Sequence, residues 1–485
     1  MDYIYITVIS IYVVLLFFFS ALFVKRTLNS YAEYAFCGRQ LTLTFIVFTY
    51  LGTWIGGGTI IGLTGGAYEK GAGQYWIFAL SCIIGILFSF LFIRRIRKGR
   101  FKSIGDLLAS RFPAHRQFIR MPVSIALLLR NMTMIGMQFA ALAYLLAYAF
   151  NIDMNLALLV IFITITAYTS LSGLWAVVST DIVQGFIQTA GMIVLLVISS
   201  NLCGGLGNTL DYYQAAGLND HMNLLMFSKS PPDFILYAVC FGTFFLMGDE
   251  SDWIRIYSAR TTKTSLWGYM IPLTITLILL LLPTYIGLFD GMLAGSRVTG
   301  DYLLYWFIQN KVGKALMLFL LLMIISAVMS TADTYMQACG TIFANIVIHM
   351  FINRNAEDQE LIFWSRISTI ACGAAGFAFA INVENIITLW LSGIAIATVI
   401  LIPEYLFAWF SKVINTDGAL AGSFTGMSFC LCLLFIHGTT DPAYIIAGSL
   451  LNAAVAVIFT LISRRRSGSL SEPLMNRSFF FELSN

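Results

Sequence analysis

The sequence predicts an all-α polytopic membrane protein of about thirteen transmembrane helices, and three observations carry that prediction. First, 59% of the 485 residues are hydrophobic and only 11% are charged, where a soluble globule carries about a quarter. Second, apolar runs of about 18 residues or more, the length that crosses roughly 30 Å of hydrocarbon, recur along the whole chain. Third, two of these runs look interrupted and lie five spans apart. An odd offset turns the second copy upside down relative to the first, which is the pattern of an inverted repeat with a site at its broken helices.

The elements follow in order. The span at 3–24 lacks a basic leading region and a small-residue cleavage site, so a retained helix is expected. Ten spans then form the expected core. Core helices 1 to 5 cover 41–67, 75–96, 119–149, 155–174 and 177–201; core helices 6 to 10 cover 233–257, 266–290, 315–350, 362–381 and 385–410. Two further spans, 418–437 and 442–463, complete the series. The organisation read from this is a leading helix and loop (1–40), a first repeat (41–201), an outer loop (202–232), a second repeat (233–410), two added helices (411–463) and a tail (464–485). The interrupted spans are core helix 1, which contains YLGTWIGGGTIIGLTGG (50–66), and core helix 6, which runs into FGTFFLMGDESDWIRIYSAR (241–260). Each glycine loosens a helix by about 1 kcal/mol against alanine, so a cluster within lipid marks a break or a close approach. Close packing remains the alternative for Gly62, Gly65 and Gly66.

Charge placement fixes the expected orientation. With the N-terminus outside, only Lys70, Lys229, Arg297, Lys311 and Lys314 of the 28 Lys and Arg residues fall on the outer side, and Arg130 falls within a span. The chain is therefore expected in the plasma (inner) membrane, N-terminus out and C-terminus cytoplasmic. The basic runs at 94–102 and 464–466 read as topology signals beside apolar spans and not as nucleic-acid patches. The eight scattered cysteines suggest no metal or disulfide framework. The four histidines are isolated and no nucleophile has a recognisable base, so an enzyme is not expected. No Walker-type glycine loop occurs, which argues against a nucleotide partner, and the tail after 463 is expected to carry no appended domain.

Four stretches bring a family into view: YTSLSGLWAVVSTDIVQG (168–185), AVMSTADT (327–334), GDLLASRF (105–112) and PEYLFAWFSKVINTDGALAG (403–422). Together they resemble the solute:sodium symporter family, with carriers for proline, glucose, pantothenate, choline and sialic acid, over roughly residues 40–425. The resemblance implies a five-plus-five inverted-repeat core and sodium-coupled symport of a small polar organic solute by alternating access. The residues agree with it. Ala327, Ser330 and Thr331 share one face of core helix 8, and sodium, a hard cation, wants oxygen ligands. Intact helices withhold their carbonyls; an unwound segment offers them. Matching GLTGG to the family's glycine motif places the two core helix 1 carbonyls on Gly52 and Ile55. The alternative is that Ser330 and Thr331 only back-bond to their own helix.

Further implied sites are less sharply drawn. A second cation site would use Asp181, Ser330, Asp333 and Thr334, although Asp333 stands where the family has a hydroxyl, which leaves one or two sodium ions open. Asp181 reads otherwise as a helix cap. For the solute, the candidates are Trp54 and Thr59 on core helix 1, with Gln74, Arg130, Met134, Phe244 and Phe245; Trp390 is a further aromatic candidate. Gln74 reads equally as part of an interfacial belt, and the aromatics as packing. Arg130 can clamp a carboxylate or sit in an ion pair, with Met134, one turn later, at the position some family members use. Asp249, Glu250 and Asp252 can attract an amine or pair with Arg255, while Glu404 has no assigned partner. A proton-coupled carrier of the same fold, or a solute sensor that does not transport, are the competing readings.

Overall fold

The computed structural model describes residues 3–99, 101, 103–112, 116–225, 249–381, 386–411, 413–437 and 442–464. Among them, ten helices are long and apolar enough to cross a membrane, or twelve when each of two bent pairs counts as one span. The thirteenth span of the sequence reading is core helix 6, and most of it, 233–248, lies outside the described residues. Large apolar side chains point outward from the bundle, Phe186 and Leu450 among them, while arginines and acids lie inside. That inversion of a soluble protein's surface is what a lipid environment selects.

The leading helix, Tyr3–Thr27, packs on the long helix Met154–Cys203. The latter joins core helices 4 and 5 at Gly173, whose φ of 59° is left-handed and whose α-hydrogen faces the Tyr34 carbonyl. Any side chain there would be strained twice over. Tyr12 on the leading helix accepts from Gln184 and Ser326, both at 3.0 Å, which ties it to core helices 5 and 8.

Core helix 1 is the element that organises the site. It runs as Leu43–Trp54 and Gly57–Lys70, bent by 48°. Its first half packs against core helix 5, and Gly52 allows the contact, since a Cβ there would lie 3.1 Å from the Asp181 carbonyl oxygen. Its second half packs against Leu281–Ala294 of core helix 7 and the connecting helix Gly300–Lys311. Core helix 8 is Lys314–Ile342, continued by a wider π-type turn over Phe343–Ile352, and packs across core helices 3, 4 and 5.

The GDLLASRF stretch forms a short helix, Ile104–Arg111, that braces one end of the bundle. Ser103 caps it by accepting from the Asp106 amide at 3.0 Å, Glu250 accepts from the Ile104 amide at 3.1 Å, and Arg111 donates to the Ser411 carbonyl at 2.7 Å. It thus links core helices 6 and 10 through one strut.

One contact gives a paired test of helix packing. A Cβ on Gly65 would lie 2.6 Å from the backbone of Gly300, whereas Gly62 has nothing within 4 Å. Gly65→Ala is expected to cost about 1–3 kcal/mol of stability by overpacking, and Gly62→Ala to leave stability unchanged or raise it by about 1 kcal/mol. Melting curves of the purified protein check both, and equal effects at the two positions would refute the packing account.

Candidate functional site

The break in core helix 1 sits at Ile55 and Gly56, with φ/ψ of −96/57 and −85/−174. A helix ending there leaves the carbonyls of residues 52 to 55 without amides four residues on. Three of these find side-chain donors. Ser330 donates to the Gly52 carbonyl at 2.8 Å, Thr331 to the Thr53 carbonyl at 3.0 Å and Thr59 to the Trp54 carbonyl at 2.9 Å. Ser330 and Thr331 also reach the Ala327 carbonyl, at 3.1 and 3.0 Å. Back-bonding within core helix 8 and contact with core helix 1 therefore occur together. Five oxygens, from Gly52, Thr53, Ala327, Ser330 and Thr331, meet where the broken helix crosses core helix 8. The site is buried, and Gly56 lets the helices approach because a Cβ there would collide with the Thr331 side chain.

Thr53 was not among the ligands read from the sequence, and its carbonyl stands beside those that were. The described contacts bring the Gly52 carbonyl to the cluster; for Ile55 they show the amide still bonded to the Leu51 carbonyl at 3.4 Å and give its carbonyl no partner in the cluster. Gln188 was also missed. It donates to the Leu51 and Gly52 carbonyls at 3.1 and 3.3 Å. Its signal was present, because Asp181, Gln184 and Gln188 recur at i, i+3 and i+7 and so line one face of core helix 5.

Two of the four residues expected to form a second cation site, Asp181 and Thr334, are both engaged by Arg255. Asp181 accepts from Thr49 through Oδ2, and the same oxygen lies 3.5 Å from the Arg255 guanidinium. Arg255 also donates to Thr53 and Thr334, both at 2.8 Å, and to Thr49 at 3.1 Å. Asp333 instead accepts from Tyr168 of core helix 4 at 3.0 Å, and Ser330 faces Gly52. The expected pairing of Arg255 with its sequence neighbours gives way to one with Asp181. Asp249 caps the helix Glu250–Ser258, Glu250 holds the strut, and Asp252 accepts from Tyr269 at 3.0 Å.

Beside the five-oxygen cluster lies a cavity of about 90 Å³, which Thr53 and Thr331 line together with the unwound segment. Of the residues expected to touch a solute, Trp54, Thr59, Arg130 and Met134 line it. Trp54 lies tilted at 33° against Tyr50 and meets Tyr269 edge to face, with ring centroids 4.5 and 5.2 Å apart. Arg130 makes a buried ion pair with Asp249 at 2.8 Å and lies over the Tyr335 ring at 4.6 Å. Gln74 is displaced from the expectation: it ends the turn Ala72–Gln74 beside Gly66 and is not part of the cavity wall. Phe244 and Phe245 lie outside the described residues, as does the side chain of Trp390. Glu404 is buried between core helix 10 and the helix Thr416–His437, where Ser423 donates to it at 2.9 Å.

Comparison with known proteins places the chain in a family. Residues 34–426 match the family model described as Sodium:solute symporter family. The human High affinity choline transporter 1 is 24% identical over 437 residues, covering 80% of this chain and 69% of the transporter. The Sodium/pantothenate symporter of Haemophilus influenzae is 24% identical over 436 residues, covering 85% of this chain and 86% of the symporter. The solved structure of a Na+-coupled sialic acid symporter in a substrate-bound outward-open state superposes with a TM-score of 0.83, at 15% identity, over 95% of this chain and 97% of that one. The last likeness is one of fold.

Proposed function

Because the chain belongs to the sodium:solute symporter family, we propose that it couples sodium entry to uptake of a small polar organic solute by binding the ion at the crossing of core helices 1 and 8. It is a multi-pass membrane protein and a sodium-coupled symporter; the ion's place, the solute's place and the orientation are our reading. The observation that carries the ion's place is the convergence of the Gly52 and Ala327 carbonyls with the Ser330 and Thr331 hydroxyls at one buried crossing. The Ile55 carbonyl completes the proposed set, since the break leaves it free of its helical amide. Hydroxyl protons that point at carbonyls without an ion rotate away when sodium takes the lone pairs. The bound ion then draws core helix 8 toward the first half of core helix 1.

The solute's place is the adjoining cavity. Thr53 and Thr331 belong to both the ion cluster and the cavity wall, which supports direct coupling: ordering one site orders the other. Arg130 and Asp249 neutralise each other there, so a neutral or zwitterionic solute fits better than a net ion. Release to the other side requires the bundle to rock about this site. The basic clusters support an N-out orientation with the C-terminus cytoplasmic.

A thermal-stability screen tests the reading. Proline, choline, pantothenate and sialic acid are added to the purified protein in sodium or in potassium, because relatives carry such solutes. A true substrate at about a hundred times its Kd adds roughly 2.7 kcal/mol, and more of it in sodium than in potassium. Stabilisation identical in the two salts would contradict coupling.

A further inference from the structure

We propose that Arg255 is a tethered cation: its guanidinium holds the place beside Asp181 that a second transported ion would take, so the carrier moves one sodium per cycle. The inference rests on the sodium reading above. Arginine has five N–H donors and no acceptor, so every group bonded to it must present lone pairs. Thr49, Thr53 and Thr334 do so, at 3.1, 2.8 and 2.8 Å, and Asp181 adds a carboxylate oxygen at 3.5 Å. The hydroxyl protons have other destinations. Thr49 donates to Asp181, Thr53 to the Thr49 carbonyl at 2.9 Å, and Thr334 stands 3.1 Å from the Thr53 hydroxyl, to which it can donate. With the Ser251 carbonyl at 3.4 Å, one positive centre is thus ringed by four neutral oxygens and one anionic oxygen, the all-oxygen shell that a hard cation takes.

The shell is closed to solvent. Asp181, Thr49 and Thr334 are buried, as are Arg255 and Thr53. A buried carboxylate in a membrane protein needs a countercharge, and Arg255 supplies one that cannot diffuse away. Thr53 joins the two places: its carbonyl takes the Thr331 hydroxyl of the ion cluster and its hydroxyl accepts from Arg255. A second free cation would therefore meet a full positive charge inside the same group of oxygens. Because the guanidinium is covalently part of the short helix Glu250–Ser258, this charge stays with the protein through the cycle.

Equilibrium binding of radioactive sodium to the purified full chain, without solute, tests the proposal. Wild type is expected to bind one sodium per chain and Arg255→Ala two, a twofold rise, with the added ion lost again in Arg255→Ala plus Asp181→Asn. Adding Ser330→Ala and Thr331→Ala to Arg255→Ala is expected to leave the ion at Asp181. Arg255→Gln serves in the same way if the alanine variant does not fold. Two sodium ions on wild type would overturn the proposal while leaving the sodium reading intact, whatever the variants do. A single sodium on a folded Arg255 variant would overturn it too, because the vacated oxygens would then hold no ion. No sodium on wild type would remove the sodium reading and this inference with it.

Discussion

The double substitution Ser330→Ala plus Thr331→Ala is expected to abolish stabilisation by sodium while leaving a folded protein. Both hydroxyls are buried at the helix crossing and both bridge Ala327 to the opened backbone of core helix 1. Losing them removes two of the proposed ligands and the hydroxyl bridges that join the Ala327 carbonyl to the Gly52 and Thr53 carbonyls. The structural penalty is modest, about 1 kcal/mol for each lost hydrogen bond. The functional loss is larger. With sodium at about a hundred times its Kd, wild type gains roughly 2.7 kcal/mol over the same protein in potassium, and the variant should gain nothing. Melting curves in the two salts read this difference directly. A variant that still responds to sodium as wild type does would move the ion site elsewhere.

Arg130→Ala is expected to be the most destabilising single change in the cavity wall. It strands Asp249, which is buried, caps the helix Glu250–Ser258 and sits 2.8 Å from the guanidinium it would lose. Removing one partner of such a pair costs about 3–5 kcal/mol, because the other charge stays buried without compensation. Replacing both partners with apolar side chains of similar volume, Arg130→Met plus Asp249→Leu, is expected to recover most of that loss. Recovery of stability without recovery of sodium-dependent solute binding would assign the pair to the cavity's chemistry. Failure of the double variant to recover any stability would show that Arg130 acts through contacts other than Asp249.

Much of this arrangement was legible in the sequence, and what was not has a physical reason. The glycine cluster placed the break of core helix 1 correctly because glycine, having no side chain, weakens a helix within lipid unless the backbone bends or packs closely there. The spacing of Ala327, Ser330 and Thr331 identified the facing surface of core helix 8, since helical periodicity fixes which side chains share a face. Periodicity does not say what lies opposite that face. Arg255 follows three acids in sequence, which suggested a local pair, yet its long side chain crosses to Asp181 on core helix 5. Thr53 escaped notice for a different reason: the break frees four consecutive carbonyls, and sequence alone does not choose among them. Gln74 looked like a solute contact from its position at the start of core helix 2, but the turn Ala72–Gln74 holds it beside Gly66, off the cavity wall.

Direct transport decides the central claim. The protein, reconstituted into liposomes, is given the solute that the stability screen identifies, first with an inward sodium gradient and then with equal sodium on both sides. Accumulation above equilibrium is expected only with the gradient, and Ser330→Ala plus Thr331→Ala should bring it to the level without one. Accumulation driven by a pH gradient in the absence of sodium, or uptake indifferent to sodium, would contradict the account.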